Sequence, residues 1–158
     1  MDIQPGDVIF YRPEGFIGTI ISKLTRSEYS HVSLAVDATT IIEANRFIKS
    51  RVVDLNYADD IHRVYRLRNI SPGQQEFIVE NALTMVGARY DYAQIFGLWL
   101  RLVFSIESKI FNKVNKYICS EIIDKAFILS MVPRKDNLII GEVSPQELLE
   151  KYDLVKVE

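Results

Sequence analysis

Five short runs of β-forming residues precede residue 70, and two helix-start motifs follow them, an order that strongly constrains the fold. The runs are rich in β-branched and aromatic residues and are bounded by turn-forming residues. They lie at residues 7–11, 31–36, 40–44, 51–54 and 63–67. The short turn Asp37-Ala38-Thr39 between the second and third runs predicts a hairpin. Strands first and helices later are typical of an α+β fold.

Two Ser-Pro motifs predict where helices begin. Ser71 is followed by proline and, three residues on, by glutamine, the layout of a capping box, so we expect a helix from there to Gly87. Ser144 begins a second such motif, which predicts a short helix ahead of a final strand near 154–157. Apolar residues at helical spacing add a short helix at 16–24.

Length and composition bound the function classes. The 158 residues are 48% hydrophobic and 25% charged, which fits one globular domain over residues 1–158. We expect an α+β domain whose antiparallel sheet of about five or six strands packs against helices. The formal charge of −2 gives no basic surplus, so the sequence predicts no nucleic-acid partner.

Cys119 is the single cysteine of the chain, and a short polar stretch before it runs directly into an apolar helical pattern. The thiol is therefore expected at a helix N-terminus, where free N–H groups and the helix dipole favour thiolate. That position predicts a pKa below that of a free cysteine. The ordinary alternative is a small buried apolar residue.

A nucleophilic thiol needs a base, and the chain has two histidines. His31 begins the second β-run, and Glu43 on the next run offers a carboxylate that can hold the imidazole in one orientation. Each also has an ordinary interpretation, as a hydrogen-bonded histidine and a solvent-facing strand residue. His62 lies beside Asp59 and Asp60, a triplet more typical of a solvated turn, and we predict no metal site.

Three further residues are candidate substrate-binding neighbours of Cys119, namely Tyr92, Tyr117 and Asp7. The tyrosines lie near predicted site motifs, although aromatic residues are more often part of the core. Asp7 follows Gly6 and is better explained by turn chemistry, so a structural role is the preferred interpretation.

The segment 93–114 carries an apolar stripe at spacings of three and four residues. Its preferred interpretation is a core or dimer helix. If it is exposed near Cys119, it would instead form a lid, an acyl-chain platform or a membrane-surface contact. Its most apolar part, 95–104, contains Gly97 and Arg101 and is about half the length a bilayer requires, so the sequence predicts no transmembrane segment.

Five motifs occur in an order that resembles a known family. The motifs are Pro5-Gly6-Asp7-Val8-Ile9, Ser30-His31-Val32-Ser33-Leu34, Ile42-Glu43-Ala44, Gly87-Ala88-Arg89-Tyr90-Asp91-Tyr92 and Tyr117-Ile118-Cys119-Ser120-Glu121. The chain resembles circularly permuted papain-like cysteine hydrolases of the YiiX-like branch of the NlpC-type cell-wall peptidase superfamily, relatives of lecithin:retinol acyltransferase. The resemblance covers residues 5 to about 150 and leaves 93–116 as a helical insertion.

The resemblance implies Cys119 as nucleophile, His31 as base and Glu43 as the group that orients the histidine. It implies a cysteine peptidase or amidase that works without a cofactor, through a thioester (acyl-enzyme), on an amide bond of a cell-wall-type peptide. An acyltransferase or lipid (thio)ester hydrolase using the same residues is the first alternative. A catalytically silent binding module is the second.

The N-terminal residues lack the basic and then apolar layout of a signal peptide, which predicts a cytoplasmic location by default. A cell-wall substrate would then have to be reached through lysis, a virion or another export route.

Overall fold

The computed structural model describes residues 2–15, 19, 22–23, 27–44, 49–87, 89–90, 116–117, 119–136 and 143–157. The strands within these residues are β1 (Val8–Tyr11), β2 (His31–Ala35), β3 (Thr40–Glu43), β4 (Arg51–Asp54), β5 (His62–Leu67), β6 (Arg89–Tyr90), β7 (Lys116–Tyr117) and β8 (Leu154–Lys156). The helices are α1 (Pro72–Leu83), α2 (Cys119–Leu129) and α3 (Pro145–Lys151).

Six of these strands form one antiparallel sheet in the order β4-β3-β2-β1-β5-β8. This confirms the predicted α+β class and the predicted antiparallel sheet. β6 and β7 form a separate two-stranded parallel ladder, and β7 ends two residues before the start of α2. Strand β1 is central, with β2 on one side and β5 on the other.

Local turn chemistry defines two turns of the sheet, one just before β1 and one between β2 and β3. Gly6 has a φ of 83°, and the N–H of Asp7 donates to the carbonyl of Gln4 at 3.1 Å, so Pro5-Gly6 occupies the centre of a type II turn. Between β2 and β3, the Asp37 carboxylate accepts hydrogen bonds from the N–H groups of Thr39 and Thr40, both at 2.8 Å. The predicted hairpin is thereby confirmed.

The two sheet faces differ in what covers them. The helix face packs against α1, α2 and α3 and is apolar; its residues include Val8, Phe10, Val32, Leu34 and Ile42. The opposite face, called the histidine face, has an apolar middle that includes Ile9, Ala35, Ile41 and Val64. At one end of it the strands present the polar and aromatic side chains of Tyr11, His31, Ser33, Glu43 and His62.

The predicted helix starts are confirmed at both Ser-Pro motifs. The Ser71 hydroxyl accepts from the third helical N–H of α1, and Ser144 forms a complete capping box with Glu147 on α3. The predicted extent of α1 is wrong, because the helix ends at Leu83 and a turn leads to Gly87, whose φ is 92°. A residue in that left-handed conformation cannot continue a helix.

Two sequence predictions concern residues that the structure describes only in part or not at all. Of the helix predicted at 16–24, the structure describes helical backbone at Thr19, Ser22 and Lys23. The apolar segment 93–114 lies outside the described residues, and so does most of the helical insertion at 93–116. Across the described residues, none of the helices has the length and apolar character needed to span a bilayer.

Candidate active site

Cys119 is the first residue of α2, as the sequence predicts. The helix docks on the helix face of the sheet, where Cys119 belongs to the same apolar cluster as Val32 and Ile122 and is 7% exposed. The next residue, Ser120, is fully buried and donates its hydroxyl to the carbonyl of Val143. The helix start is therefore anchored to the chain that leads into α3.

Burial is the largest influence on the thiol and raises the pKa of Cys119 above its ordinary value. Backbone hydrogen bonds from Val32, Ser120 and Cys119 itself act in the opposite direction, because they favour the thiolate. The predicted lowering of the pKa is wrong in direction, since the helix start lies inside the core rather than at its surface. The thiol is therefore neutral at neutral pH.

The hydrogen bond from Val32 connects the thiol to strand β2. Even-numbered N–H groups along β2 face β3, as shown by Val36, the residue after β2, which donates to the carbonyl of Thr40 at 2.8 Å. Strand β3 ends at Glu43, and the N–H of Val32 is bonded to the thiol of Cys119. The sulfur therefore lies at the edge of β2, beside the residue that follows His31.

His31 begins β2 on the histidine face, and its Nε2 atom is buried. Tyr11 lies directly opposite it on β1, with ring centroids 5.0 Å apart. Tyr11 also lies opposite His62 on β5, with ring centroids 4.5 Å apart at an interplanar angle of 83°. Both histidines of the chain thus contact the same tyrosine from neighbouring strands.

His62 differs from His31 in its surroundings. It is 6% exposed, packs between Tyr11 and Tyr57, and accepts the N–H of Ala58 on Nδ1 at 2.7 Å. Burial holds the pKa of His62 below its ordinary value, so the ring is neutral at neutral pH. These contacts give His62 a structural role at the start of β5.

Tyr11 and Ser33 extend the polar end of the histidine face. The Tyr11 hydroxyl and the Ser33 Oγ are 2.9 Å apart. Burial raises the pKa of Tyr11 to about 12, with the Ser33 hydrogen bond opposing and the charges of Glu43 and Cys119 adding to the rise. The phenol is therefore protonated at neutral pH.

Glu43 faces Ser33 in the β2–β3 register, so it lies diagonally across from His31 on the same face. Its side chain is 11% exposed. Arg51 on β4 binds one carboxylate oxygen of Glu43 through two nitrogens, at 2.8 and 3.0 Å. The strand pairing therefore brings Glu43 to the same end of the sheet as His31, and Arg51 holds it there.

Asp7 lies toward the opposite end of the face, four residues or about 13 Å along β1 from Tyr11. It is fully buried, and Arg66 binds its two carboxylate oxygens at 2.8 Å each. The N–H of Gln4 also donates to Asp7 at 2.9 Å. Through these contacts the Asp7 carboxylate links the turn at Gly6 to strand β5.

The two tyrosines proposed as site neighbours are described only in part. Tyr92 lies outside the described residues, and for Tyr117 the structure describes the backbone, which pairs with Tyr90 in the β6–β7 ladder two residues before Cys119. In the described ranges no group of three or more His, Cys, Asp or Glu side chains converges on a common point where a metal ion could bind.

The sequence does not predict a site role for Tyr11, Ser33 or Arg51. The available signal is the alternation of Ile9 and Tyr11, which places both on one face of β1. That alternation does not reveal that β1 is the central strand between the two histidine-bearing strands. The contacts of Tyr11 with His31 and His62 depend on register and strand order, which are properties of the folded sheet.

Comparison with known proteins shows the fold. The sequence matches no family model and no curated protein at a significant level. Among solved structures, it matches the crystal structure of the metalloprotein YiiX from Escherichia coli O157:H7, described as DUF1105, with a TM-score of 0.58 and 18% identity. The match covers 100% of this chain and 98% of that one. At this identity the likeness concerns architecture alone, and the chain has a YiiX-like α+β fold.

Proposed function

We propose that the chain is a cysteine hydrolase in which Cys119 is the nucleophile, His31 the general base and Glu43 the residue that orients His31. The proposed bond is an amide of a cell-wall-type peptide. The observation that carries the proposal is the hydrogen bond from the N–H of Val32 to the thiol of Cys119, because it sets the sulfur beside the strand residue adjacent to His31. The buried Nε2 of His31 and the nearby Glu43 carboxylate support the assignment.

The raised pKa of Cys119 decides which form of the mechanism is proposed. A resting thiolate–imidazolium pair needs a lowered thiol pKa, whereas a neutral thiol transfers its proton as it attacks. His31 accepts the Sγ proton while Sγ bonds to the substrate carbonyl carbon, and the N–H of Cys119 at the start of α2 donates to the oxyanion. His31 then protonates the leaving amine, the C–N bond breaks, and a thioester remains. Water, deprotonated by His31, hydrolyses the thioester and restores the thiol.

YiiX is described as a metalloprotein, and this raises the question of a metal here. His62 already uses Nδ1 to accept the Ala58 N–H, and no set of three metal-binding side chains converges within the described part of the chain. These residues do not fit a metal centre, so the mechanism is derived from Cys119, His31 and Glu43.

The test compares three substrate classes, namely peptidoglycan fragments, short-chain thioesters and phospholipids. Wild-type protein is expected to release amines from peptidoglycan fragments. Cys119→Ala should abolish this activity, and His31→Ala should lower kcat by roughly 10²- to 10⁴-fold, the usual contribution of a general base. Thermal melting of both variants should match wild type closely enough to show that the fold is retained.

His62→Asn is the matched control, because His62 contacts the opposite side of Tyr11 and lies on β5. It should retain most of the activity. Full activity in both Cys119→Ala and His31→Ala would contradict the proposed mechanism. Turnover of thioesters or phospholipids without amide cleavage would replace the peptidase by the acyltransferase or lipid hydrolase.

A further inference from the structure

Helix α2 ends in a motif that normally uses glycine but here contains Met131. The N–H of Val132 donates to the carbonyl of Phe127 at 2.9 Å, and the N–H of Met131 donates to the carbonyl of Ile128 at 3.0 Å. These two bonds define a Schellman motif, and Met131 has the left-handed φ of 54° at its C′ position. A methionine at this backbone conformation is strained relative to glycine.

Met131 is also 83% exposed as a residue, so its apolar atoms gain little from folding. Beside it, Phe77 on α1 is 45% exposed. Together with Glu76 and Glu80, these side chains line a groove of about 490 Å³ between α1 and the end of α2. A strained backbone next to exposed apolar side chains is typical of a binding surface, because neither feature adds to the stability of the fold.

Hydrogen bonds hold this groove in shape. Gln74 Nε2 donates to the carbonyl of Ser130 at 3.2 Å, and Asn81 Nδ2 donates to the Ser130 hydroxyl at 3.0 Å. Both bonds tie the loop that carries Met131 to α1. Because the wall is fixed before binding, a partner would incur little loss of loop entropy on docking.

The charge of the groove specifies the chemistry of its occupant. Glu76 and Glu80 lie one turn apart, and the sequence of α1 contains no lysine or arginine. The lined stretch from Gly73 to Glu80 spans about 10 Å of helix, the length of an apolar i to i+7 stripe on a second helix. We propose that this groove docks an amphipathic helix of a partner protein whose apolar stripe is flanked by Lys or Arg.

The proposal is independent of the proposed catalysis, since the lining residues include neither Cys119 nor the polar end of the histidine face. The probe is a synthetic peptide of about 18 residues built from Leu, Ala and Lys, with Leu at i, i+3, i+4 and i+7. A control peptide keeps every Leu and replaces each Lys by Glu. Fluorescence anisotropy of the labelled peptides with the full chain measures the affinities.

The Lys peptide should bind at least tenfold more tightly than the Glu peptide. Met131→Gly should weaken Lys-peptide binding about tenfold while raising Tm by about 2–4 °C, because glycine relieves the left-handed strain. This opposite movement of binding and stability separates docking from simple damage to the fold. Glu76→Lys with Glu80→Lys should reverse the preference between the peptides. Leu129→Ser is the matched control, because Leu129 is 54% exposed but lies outside the groove, and it should leave affinity within twofold.

Equal affinity for both peptides would overturn the proposal, as would unchanged affinity in Met131→Gly. Sedimentation that shows a dimer of this chain abolished by Met131→Gly would assign the groove to a second copy instead. Preferential binding of anionic lipid vesicles that is lost in the same variant would assign it to a membrane surface.

Discussion

The two faces of the six-stranded sheet use the same strands for different purposes. The helix face is apolar and is covered by the three described helices, so it supplies burial. The polar end of the histidine face gathers titratable side chains at strand ends, including both histidines and Glu43. The difference shows how one sheet can supply apolar burial on one side and gather titratable groups on the other.

Val32 joins the two faces. Its side chain packs in the helix-face cluster, and its N–H bonds the thiol of Cys119 at the edge of β2. His31, the preceding residue, points to the other face because side chains alternate along a strand. Cys119 thus comes from the helix layer and His31 from the histidine face, and adjacent residues of β2 link the two.

The largest expected effect tests whether the helix face carries the stability. Phe127 is fully buried on α2 and packs edge-on against Tyr152 at 4.9 Å. Phe127→Ala should lower the free energy of unfolding by about 3–5 kcal/mol, measured by urea denaturation. Leu129→Ala is the control on the same helix, because Leu129 is exposed and should change it by less than about 0.5 kcal/mol. A loss under about 1 kcal/mol for Phe127→Ala would remove the contrast between the faces.

A second prediction concerns a charge buried on the histidine face. Asp7→Asn weakens the pairing with Arg66 and should lower the free energy of unfolding by about 1–3 kcal/mol, since a buried partner loses its charge-assisted bonds. Asp153→Asn is the control, because its pairing with Arg68 is exposed on both sides and should be worth less than about 1 kcal/mol. If Asp7→Asn instead lowers hydrolysis and leaves stability intact, Asp7 belongs to the substrate site.

The sequence predicts the parts of this fold that are encoded locally. Turn residues around Gly6 and Asp37, the serine caps and the start of α2 at Cys119 each depend on a few adjacent residues, and the structure confirms them. The neighbours of Tyr11 depend on strand order instead, and no local pattern shows that β1 lies between β2 and β5. The pKa of Cys119 was predicted in the wrong direction for the same reason: a helix start is visible in sequence, but the depth at which α2 packs is not.

A third prediction concerns the pH dependence that His62 gives to the stability of the fold. Burial lowers the pKa of His62 from 6.5, so the unfolded chain takes up the proton first as the pH falls. The stabilising contribution is complete above pH 6.5 and is lost as the pH falls toward the lower folded pKa, by at most about 1.4 kcal/mol per pH unit. His62→Asn places a non-titrating acceptor near the Ala58 N–H and should remove this slope in urea denaturation between about pH 7.5 and 5. An identical pH dependence in wild type and variant would contradict the assignment.

The smallest expected effect tests whether Tyr11 serves stability or chemistry. Tyr11→Phe keeps the ring contacts with both histidines and removes the hydroxyl that bonds Ser33, so it should lower the free energy of unfolding by about 1 kcal/mol. Ser33→Ala should cost a similar amount. The double variant should cost clearly less than the sum, because both changes remove the same hydrogen bond. A much larger loss of hydrolysis than of stability in Tyr11→Phe would mean that the phenol, which is protonated at neutral pH, acts on the reaction itself. Small losses of equal size would mean that the hydroxyl of Tyr11 serves stability through its bond to Ser33.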